Sequence, residues 1–357
     1  MDQELTDLIA SWDGEAVISR FDRPTGTWIF IALHNSTLGT PTGGTRMRQY
    51  PNPAAGLLDA QRLAAGMTAK WAVLDFDKGG GKAVLAVPGP LEGEAREGLL
   101  KRYGRLLQTL NGSFATGEDL GTTPEDMVAI ASETRYVHGV DASGRQVEDP
   151  GPFTARGVVS GIYAALEQVF GSADPAGRTV LIQGVGDVGD PIARELAAAG
   201  ARLLLSDVAA DRVGALAAEL RAQTVDPSAV YDTPCDVFSP CAIGAILNAE
   251  TIPRLACRIV AGSANNQLRE DGDAEHLQRR DILYAPDYVI NGGGALAFGL
   301  LSRGETDKDL LMERMGSVGS SLREIFREAA ENRESPRAAS RRRVERVLSR
   351  PRELVLG

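Results

Sequence analysis

The chain is short of cysteine, of histidine and of positive charge, and each shortage closes off a class of function. Three cysteines, Cys235, Cys241 and Cys257, cannot all pair and show no CxxC spacing. Neither a disulfide framework nor a bound metal is expected of them, and they read as reduced thiols of a cytoplasmic protein. Three histidines, His34, His138 and His276, lack mutual spacing or acidic partners that suggest catalysis or metal binding; each is read as structural or exposed. Lys and Arg number 38 against 48 Asp and Glu, a formal net charge of −10, which argues against general nucleic-acid affinity. No apolar run approaches the roughly 18 residues of a membrane span. The acidic N-terminus, MDQELTDLIASWDGE, has no positive region of the kind that opens a secretory signal. The 357 residues, 43% of them apolar, suffice for two domains with sizeable cores.

Periodicity and turn chemistry divide the chain. Glu15–Phe21 and Thr27–Leu33 are β-rich runs, and the turn-forming Asp22-Arg-Pro-Thr-Gly26 between them predicts a hairpin over 15–33. Asn52-Pro53 supplies an N-cap with proline behind it, opening a helix that runs toward Lys70. Leu99, Leu100, Tyr103, Leu106, Leu107 and Leu110 form one buried helical face. Thr123-Pro124-Glu125-Asp126 starts a third helix. Strands mixed with helices predict an α/β domain over residues 1–145. Around Val140–Phe153 the chain turns to Gly, Asp, Ser and Pro, the composition of an interdomain connection.

Beyond it the pattern alternates. Thr179–Gln183 reads as a strand, then comes a helix from about 188 to 199, then the strand Arg202–Ser206. Short apolar runs follow at Cys235–Phe238, Arg258–Ala261 and Tyr288–Ile290. Strands of this kind between helices predict a doubly wound parallel sheet of Rossmann type over 146–302. Residues 303–357 read as C-terminal helices packing back toward the first domain, and the run Arg341-Arg342-Arg343 reads as a solvated helix face.

Two glycine segments carry the chemistry. In Gly79-Gly80-Gly81-Lys82 three missing side chains would let another molecule approach the backbone, with Lys82 at the wall of the cleft. Lys70 stands twelve positions upstream. Two ammonium groups converging on one buried site disfavour each other's charge, which is the setting for a lysine that acts as a base. The second segment, Gly184-Val185-Gly186-Asp187-Val188-Gly189, follows a strand and opens a helix, and Asp207 ends the next strand. That context marks a dinucleotide site: the glycines admit a tight turn, the pyrophosphate and close packing, and the helix N-terminus faces the phosphates. Asp207 would accept from the adenosine ribose hydroxyls, which favours NAD over NADP, although Arg212 nearby could welcome a 2′-phosphate. Asp187 puts a negative charge in the phosphate loop for which the sequence offers no reason.

Further segments complete a set: Gly43-Gly44-Thr45-Arg46, Thr116-Gly117-Glu118-Asp119-Leu120-Gly121-Thr122-Thr123, Ser263-Ala264-Asn265-Asn266 and Ala285–Gly294. With GGGK, FTARGV, GVGDVG and SPCAIG, their order resembles the Glu/Leu/Phe/Val amino-acid dehydrogenase family from about Trp12 to Ala330. The resemblance implies an N-terminal catalytic domain and a C-terminal NAD domain that close on the substrate. It also implies conversion of an L-amino acid, NAD+ and water to a 2-oxo acid, ammonium and NADH by a homo-oligomer. Lys70 matches the lysine that holds the substrate carboxylate, helped by backbone near Gly43 and Gly44 and by Asn265. Lys82 matches the lysine that activates water as a neutral amine, and Asp119 the acid/base residue at the substrate amino group. Thr154 would contact the nicotinamide amide, with Asn291 on the facing loop and Ser263, Ala264 and Asn265 beside the cofactor.

The glutamate branch of that family needs a cation for the substrate side chain, and the positions that match its pocket read Thr40, Gly117, Ala295 and Phe298. An apolar substrate is therefore expected. Gly117 and Ala295 are smaller than their counterparts in the leucine and valine enzymes, which favours phenylalanine, with leucine or valine as the alternative. Asn291-Gly-Gly-Gly294 departs from the family's usual Asn-Ala-Gly-Gly. A non-catalytic dinucleotide-binding regulator is a remoter reading, as is a 2-hydroxy-acid enzyme, whose chemistry usually wants a His–acid pair.

Overall fold

The computed structural model describes residues 3–140, 149–301 and 303–349. The chain divides into two compact units at Glu148/Asp149. In the first, Ala16–Asp22 (β1) and Thr27–Asn35 (β2) pair antiparallel from Ala16↔Leu33 to Asp22↔Thr27, with Gly26 at φ +67° closing the turn. Pro41–Arg48 (β3), Gly79–Ala86 (β4) and Ala115–Glu118 (β5) complete a sheet of order β1-β2-β4-β3-β5. Strand alternation sorts β2 between two cores. Ile29, Ile31 and Leu33 pack with Leu99, Leu100, Tyr103, Met127 and Ile130, from the helices Gly93–Thr109 and Pro124–Ala131. Phe30 and Ala32 pack with Leu57, Ala60 and Ala64 on the other face, from the helix Pro53–Val73 (α1). Its N-cap Asn52 accepts from the Ala55 N–H at 2.8 Å, as Asn-Pro predicts.

The glycines of β4 behave differently from the sequence expectation. Their room is taken by the protein's own chain. A Cβ on Gly80 would lie 1.9 Å from Thr68 Oγ1 and 2.6 Å from the Ala64 carbonyl of α1, and one on Gly81 would lie 2.8 Å from the Phe114 ring. Gly43 is filled in the same way, by the Gly81 carbonyl at 1.9 Å. These glycines let a helix and three strands touch through their backbones.

In the second unit, Thr179–Gln183 (β6), Arg202–Ser206 (β7), Gln223–Thr224 (β8), Val237–Pro240 (β9), Ile259–Val260 (β10) and Leu283–Tyr284 (β11) form a parallel sheet. Its order is β11-β10-β9-β6-β7-β8. The helix Gly189–Ala198 (α2) follows β6 and Ala210–Leu220 follows β7. A long helix, Pro150–Phe170 (α3), opens the unit. Glycines 157 and 161 of α3 bring it against Gly293, Ile290, Val318 and Leu322, so the C-terminal helices through Leu348 cluster with this unit. No helix among the described residues is long and apolar enough to cross a membrane.

Two expectations are corrected here. Pro150–Phe153, read as part of the interdomain connection, is the first turn of α3, because Asp149 caps it by accepting from the Gly151 N–H at 2.8 Å; residues 141–148 lie outside the described residues. Tyr288–Ile290, read as a strand, is helical over Asp287–Ile290. The strand lies earlier, where Leu283 and Tyr284 pair with Ile259 and Val260. Pro286 then has no N–H to continue the ladder and starts a helical turn.

Candidate active site

β4 carries Lys82, 4% exposed, and the turn after β5 carries Asp119. Lys82 Nζ lies 3.0 Å from Asp119 Oδ1. The other carboxylate oxygen accepts from Arg46 Nε at 2.8 Å, and Arg46 Nη1 reaches Asp59 Oδ2 of α1 at 3.2 Å. Tyr50 donates to the same Asp59 oxygen at 2.6 Å. Gly44 makes room for this, since a Cβ there would stand 2.8 Å from Asp119 Cβ. Burial would push the Asp119 carboxyl up, but the Lys82 and Arg46 cations outweigh it and hold it down at about 2. Asp119 is therefore an anion at neutral pH. It is not a helix cap: Thr123 and Asp126 form the capping box of the helix that follows.

Lys70 occupies the last turn of α1 and is half-buried. Its neighbour Trp71 donates Nε1–H to the Thr42 carbonyl at 3.1 Å, and Met67 reaches Gly43. The end of α1 is thus pinned beside Gly43 and Gly44 on β3. The partner found for Lys82 is a carboxylate, not the second ammonium that the sequence reading invoked. Gly117 pairs with Gly44 and is open: among the described residues, a Cβ there meets nothing nearer than His138 Cβ at 3.7 Å. Arg46 received no role from the sequence, although it stood inside a quoted motif.

In the second unit the loop after β6 separates its three glycines by function. Gly184 adopts φ +95°, and a Cβ on Gly189 would strike the Gly184 carbonyl at 1.9 Å; both are demanded by the turn. Gly186 is demanded by nothing among the described residues: the nearest atom a Cβ there would meet is Arg212 Nη1 at 3.8 Å. That leaves bare backbone at the start of α2, the cradle a pyrophosphate requires. Asp207 accepts from the Val185 N–H and the Ala209 N–H at 2.8 and 2.9 Å. Burial raises its carboxyl, and these backbone donors with Arg212 more than reverse the effect. Asp187 is exposed, and Val188 stands at the N-cap position of α2 without a side-chain cap.

The amides expected on the other loops come together. Asn291 Nδ2 donates to Asn265 Oδ1 at 2.7 Å and to the Ser263 carbonyl at 3.1 Å, while the Ala264 N–H is spent on Pro240. Asn265 is exposed, and with its oxygen used, its NH₂ remains to donate. Thr154 lies against Gly294 and donates to the Pro150 carbonyl at 2.9 Å. On the helix Gly293–Leu301, Ala295 and Phe298 share a half-buried face while Leu296 and Ala297 are buried. Two histidines do have acidic neighbours, His34 with Asp13 at 3.5 Å and His276 with Asp273 at 3.4 Å. Asp13 is 85% exposed and His276 46%, which suits surface pairs. Among the described residues no cluster of three or more His, Cys, Asp or Glu could hold a metal.

A bare-backbone glycine turn between a strand of a parallel sheet and the helix that follows is the geometry of a dinucleotide-binding fold. Residues 25–136 match the family described as Glu/Leu/Phe/Val dehydrogenase, dimerisation domain, and residues 204–333 match Glutamate/Leucine/Phenylalanine/Valine dehydrogenase. The chain is 41% identical to leucine dehydrogenase of Thermoactinomyces intermedius over 82% of its length and 80% of the relative's. It is 38% identical to phenylalanine dehydrogenase of Lysinibacillus sphaericus, covering 88% of itself and 84% of the relative. The crystal structure of L-tryptophan dehydrogenase from Nostoc punctiforme superposes with a TM-score of 0.82 at 36% identity, covering 96% and 98% of the two chains. The chain belongs to the Glu/Leu/Phe/Val dehydrogenase family, and it is an amino-acid dehydrogenase of that family.

Proposed function

We propose that the chain catalyses the reversible, NAD-dependent oxidative deamination of a large apolar L-amino acid, phenylalanine favoured, to its 2-oxo acid, ammonium and NADH. The observation that carries this is the buried Lys82–Asp119 pair at 3.0 Å. Lys82, as a neutral amine, takes a proton from the water that attacks the imine, and Asp119 exchanges protons with the substrate nitrogen. Lys70, with backbone at Gly43 and Gly44, holds the substrate carboxylate, and the amide of Asn265 donates to it. NAD, when bound, accepts the hydride. Gly184–Gly189 would hold its pyrophosphate, Asp207 its ribose hydroxyls and Thr154 its amide. Asp207 supports NAD over NADP, and Arg212 beside Gly186 would lie near the phosphates.

For the side chain, open space at Gly117 and the small Ala295 on the half-buried helix face support an aromatic ring. A second reading, leucine or valine, is supported by the 41% identity to a leucine dehydrogenase. A methylene or two changes discrimination by only about 1–3 kcal/mol, so several apolar substrates should be turned over. We also propose a homo-oligomer built through the edge strand β1, whose Phe21 is 44% exposed. The assay is NADH formation from NAD+ with L-phenylalanine, L-leucine, L-valine, L-tryptophan and L-glutamate. Turnover of the apolar set but not of glutamate is expected. No turnover of any apolar amino acid would leave the non-catalytic, dinucleotide-binding reading in its place.

A further inference from the structure

We infer that Arg46 is a positioning residue of the reaction: its fixed charge on Asp119 lets Lys82 release a proton without leaving a lone buried anion behind. The inference rests on the reading of Lys82 as the base. A carboxylate 3.0 Å from an ammonium favours the charged lysine, whereas water activation needs the neutral amine. Taken as a pair, Lys82 and Asp119 therefore work against the role assigned to the lysine. Losing the lysine proton would strand a carboxylate in a low-dielectric site, which is costly.

Arg46 alters that balance. It occupies the second Asp119 oxygen at 2.8 Å and does not titrate in the working range. With it, deprotonated Lys82 still faces a neutralised Arg46–Asp119 pair. The guanidinium is 12% exposed and is held from behind by Asp59 at 3.2 Å, which Tyr50 fixes in turn at 2.6 Å. One planar fork serves both Asp119 and Asp59, which a lysine ammonium could not do with the same geometry. Among the described residues, the charged groups paired with Asp119 are Lys82 from β4 and Arg46 from β3. From α1, packed on β4, Asp59 acts through Arg46, and Lys70 stands on the last turn. On the following helix, Asp126 is already engaged by Arg96. Asp59 thus tempers Arg46, and removing it should act in the opposite direction from removing Arg46.

The chain has five lysines, Lys70, Lys78, Lys82, Lys101 and Lys308, so Lys82 can be followed by ε-¹³C-lysine NMR in the full-length protein and assigned with Lys82→Arg. Arg46→Met should raise both the Lys82 titration midpoint and the rising limb of the kcat/KM–pH profile by about one pH unit or more, a tenfold change. Arg46→Lys should give a smaller rise, and Asp59→Asn should lower both by about half a unit. A merely structural Arg46 would reduce activity and stability and leave both midpoints at their wild-type pH, and that result would overturn the inference. Should Arg46→Met fail to fold, the opposed shifts of Arg46→Lys and Asp59→Asn decide the matter alone. The NMR titration needs no turnover: an inactive wild type would speak against the proposed function, and unmoved midpoints against Arg46.

Discussion

Two glycine-rich segments, Gly79–Gly81 and Gly184–Gly189, look alike in the sequence and do opposite things. The place a Cβ would take on Gly80 is filled by Thr68 and Ala64 of α1, at distances down to 1.9 Å. A Cβ on Gly186 would meet nothing among the described residues nearer than Arg212 Nη1 at 3.8 Å. The first segment is glycine because the protein packs against itself there. At Gly186 the protein leaves its backbone bare, and that emptiness is what a ligand can use. A glycine run announces close approach without saying by what, and only the neighbours decide.

Substitutions test the contrast directly. Gly80→Ala drives a methyl into the Thr68 hydroxyl, the Thr68 nitrogen and the Ala64 carbonyl and should cost about 1–3 kcal/mol or more, lowering Tm by about 5 °C and taking activity with it. Gly186→Ala should leave Tm unchanged within about 1 °C and raise the KM for NAD+ about tenfold, because the methyl obstructs the cofactor and not the fold. If Gly186→Ala unfolds the protein, the contrast fails. Gly117, open in the first unit, sharpens it further: Gly117→Ala should fold normally and lower the ratio of kcat/KM for phenylalanine over leucine about tenfold.

The smallest effect concerns His138, beside Gly117. Burial, reinforced by the charge of Lys78, pushes its imidazole down from 6.5 to about 4. The folded pKa lies below the unfolded one, so this contribution to stability is complete above about pH 6.5 and is lost as pH falls toward 4. Denaturant midpoints should decline across that window, and His138→Gln should flatten the decline. Asp119, held at about 2 against an ordinary 3.8, contributes a separate loss below pH 4 that His138→Gln leaves in place.

What the sequence made legible was local. Caps at Asn52 and Thr123, the leucine face of Leu99–Leu110 and the strand–turn–helix around Gly184 all appear at the expected positions. The strand mistaken at Tyr288–Ile290 was a matter of composition overriding turn chemistry: apolar residues were present, but Pro286 had already ended the ladder. Arg46 was missed because its partner lies 73 residues away and joins it only when β3 and β5 lie side by side. Ion pairs between non-adjacent segments leave no periodic trace. Likewise, the bond between Asn265 and Asn291 spans 26 residues and follows from two loops at neighbouring strand ends.

The contact of α1 with bare β4 also acts as a gauge. With no side chain on Gly80, the strand backbone rests directly on the Thr68 hydroxyl and on the Thr68 N–H and Ala64 carbonyl of the helix. Lys70 is two residues beyond Thr68 and Lys82 two beyond Gly80, so this contact sets how closely the backbones that carry the two lysines approach. Under the proposed function, the head group common to amino-acid substrates would meet a constant ruler at the two lysines, while the strand position at Gly117, outside that contact, stays at liberty to change.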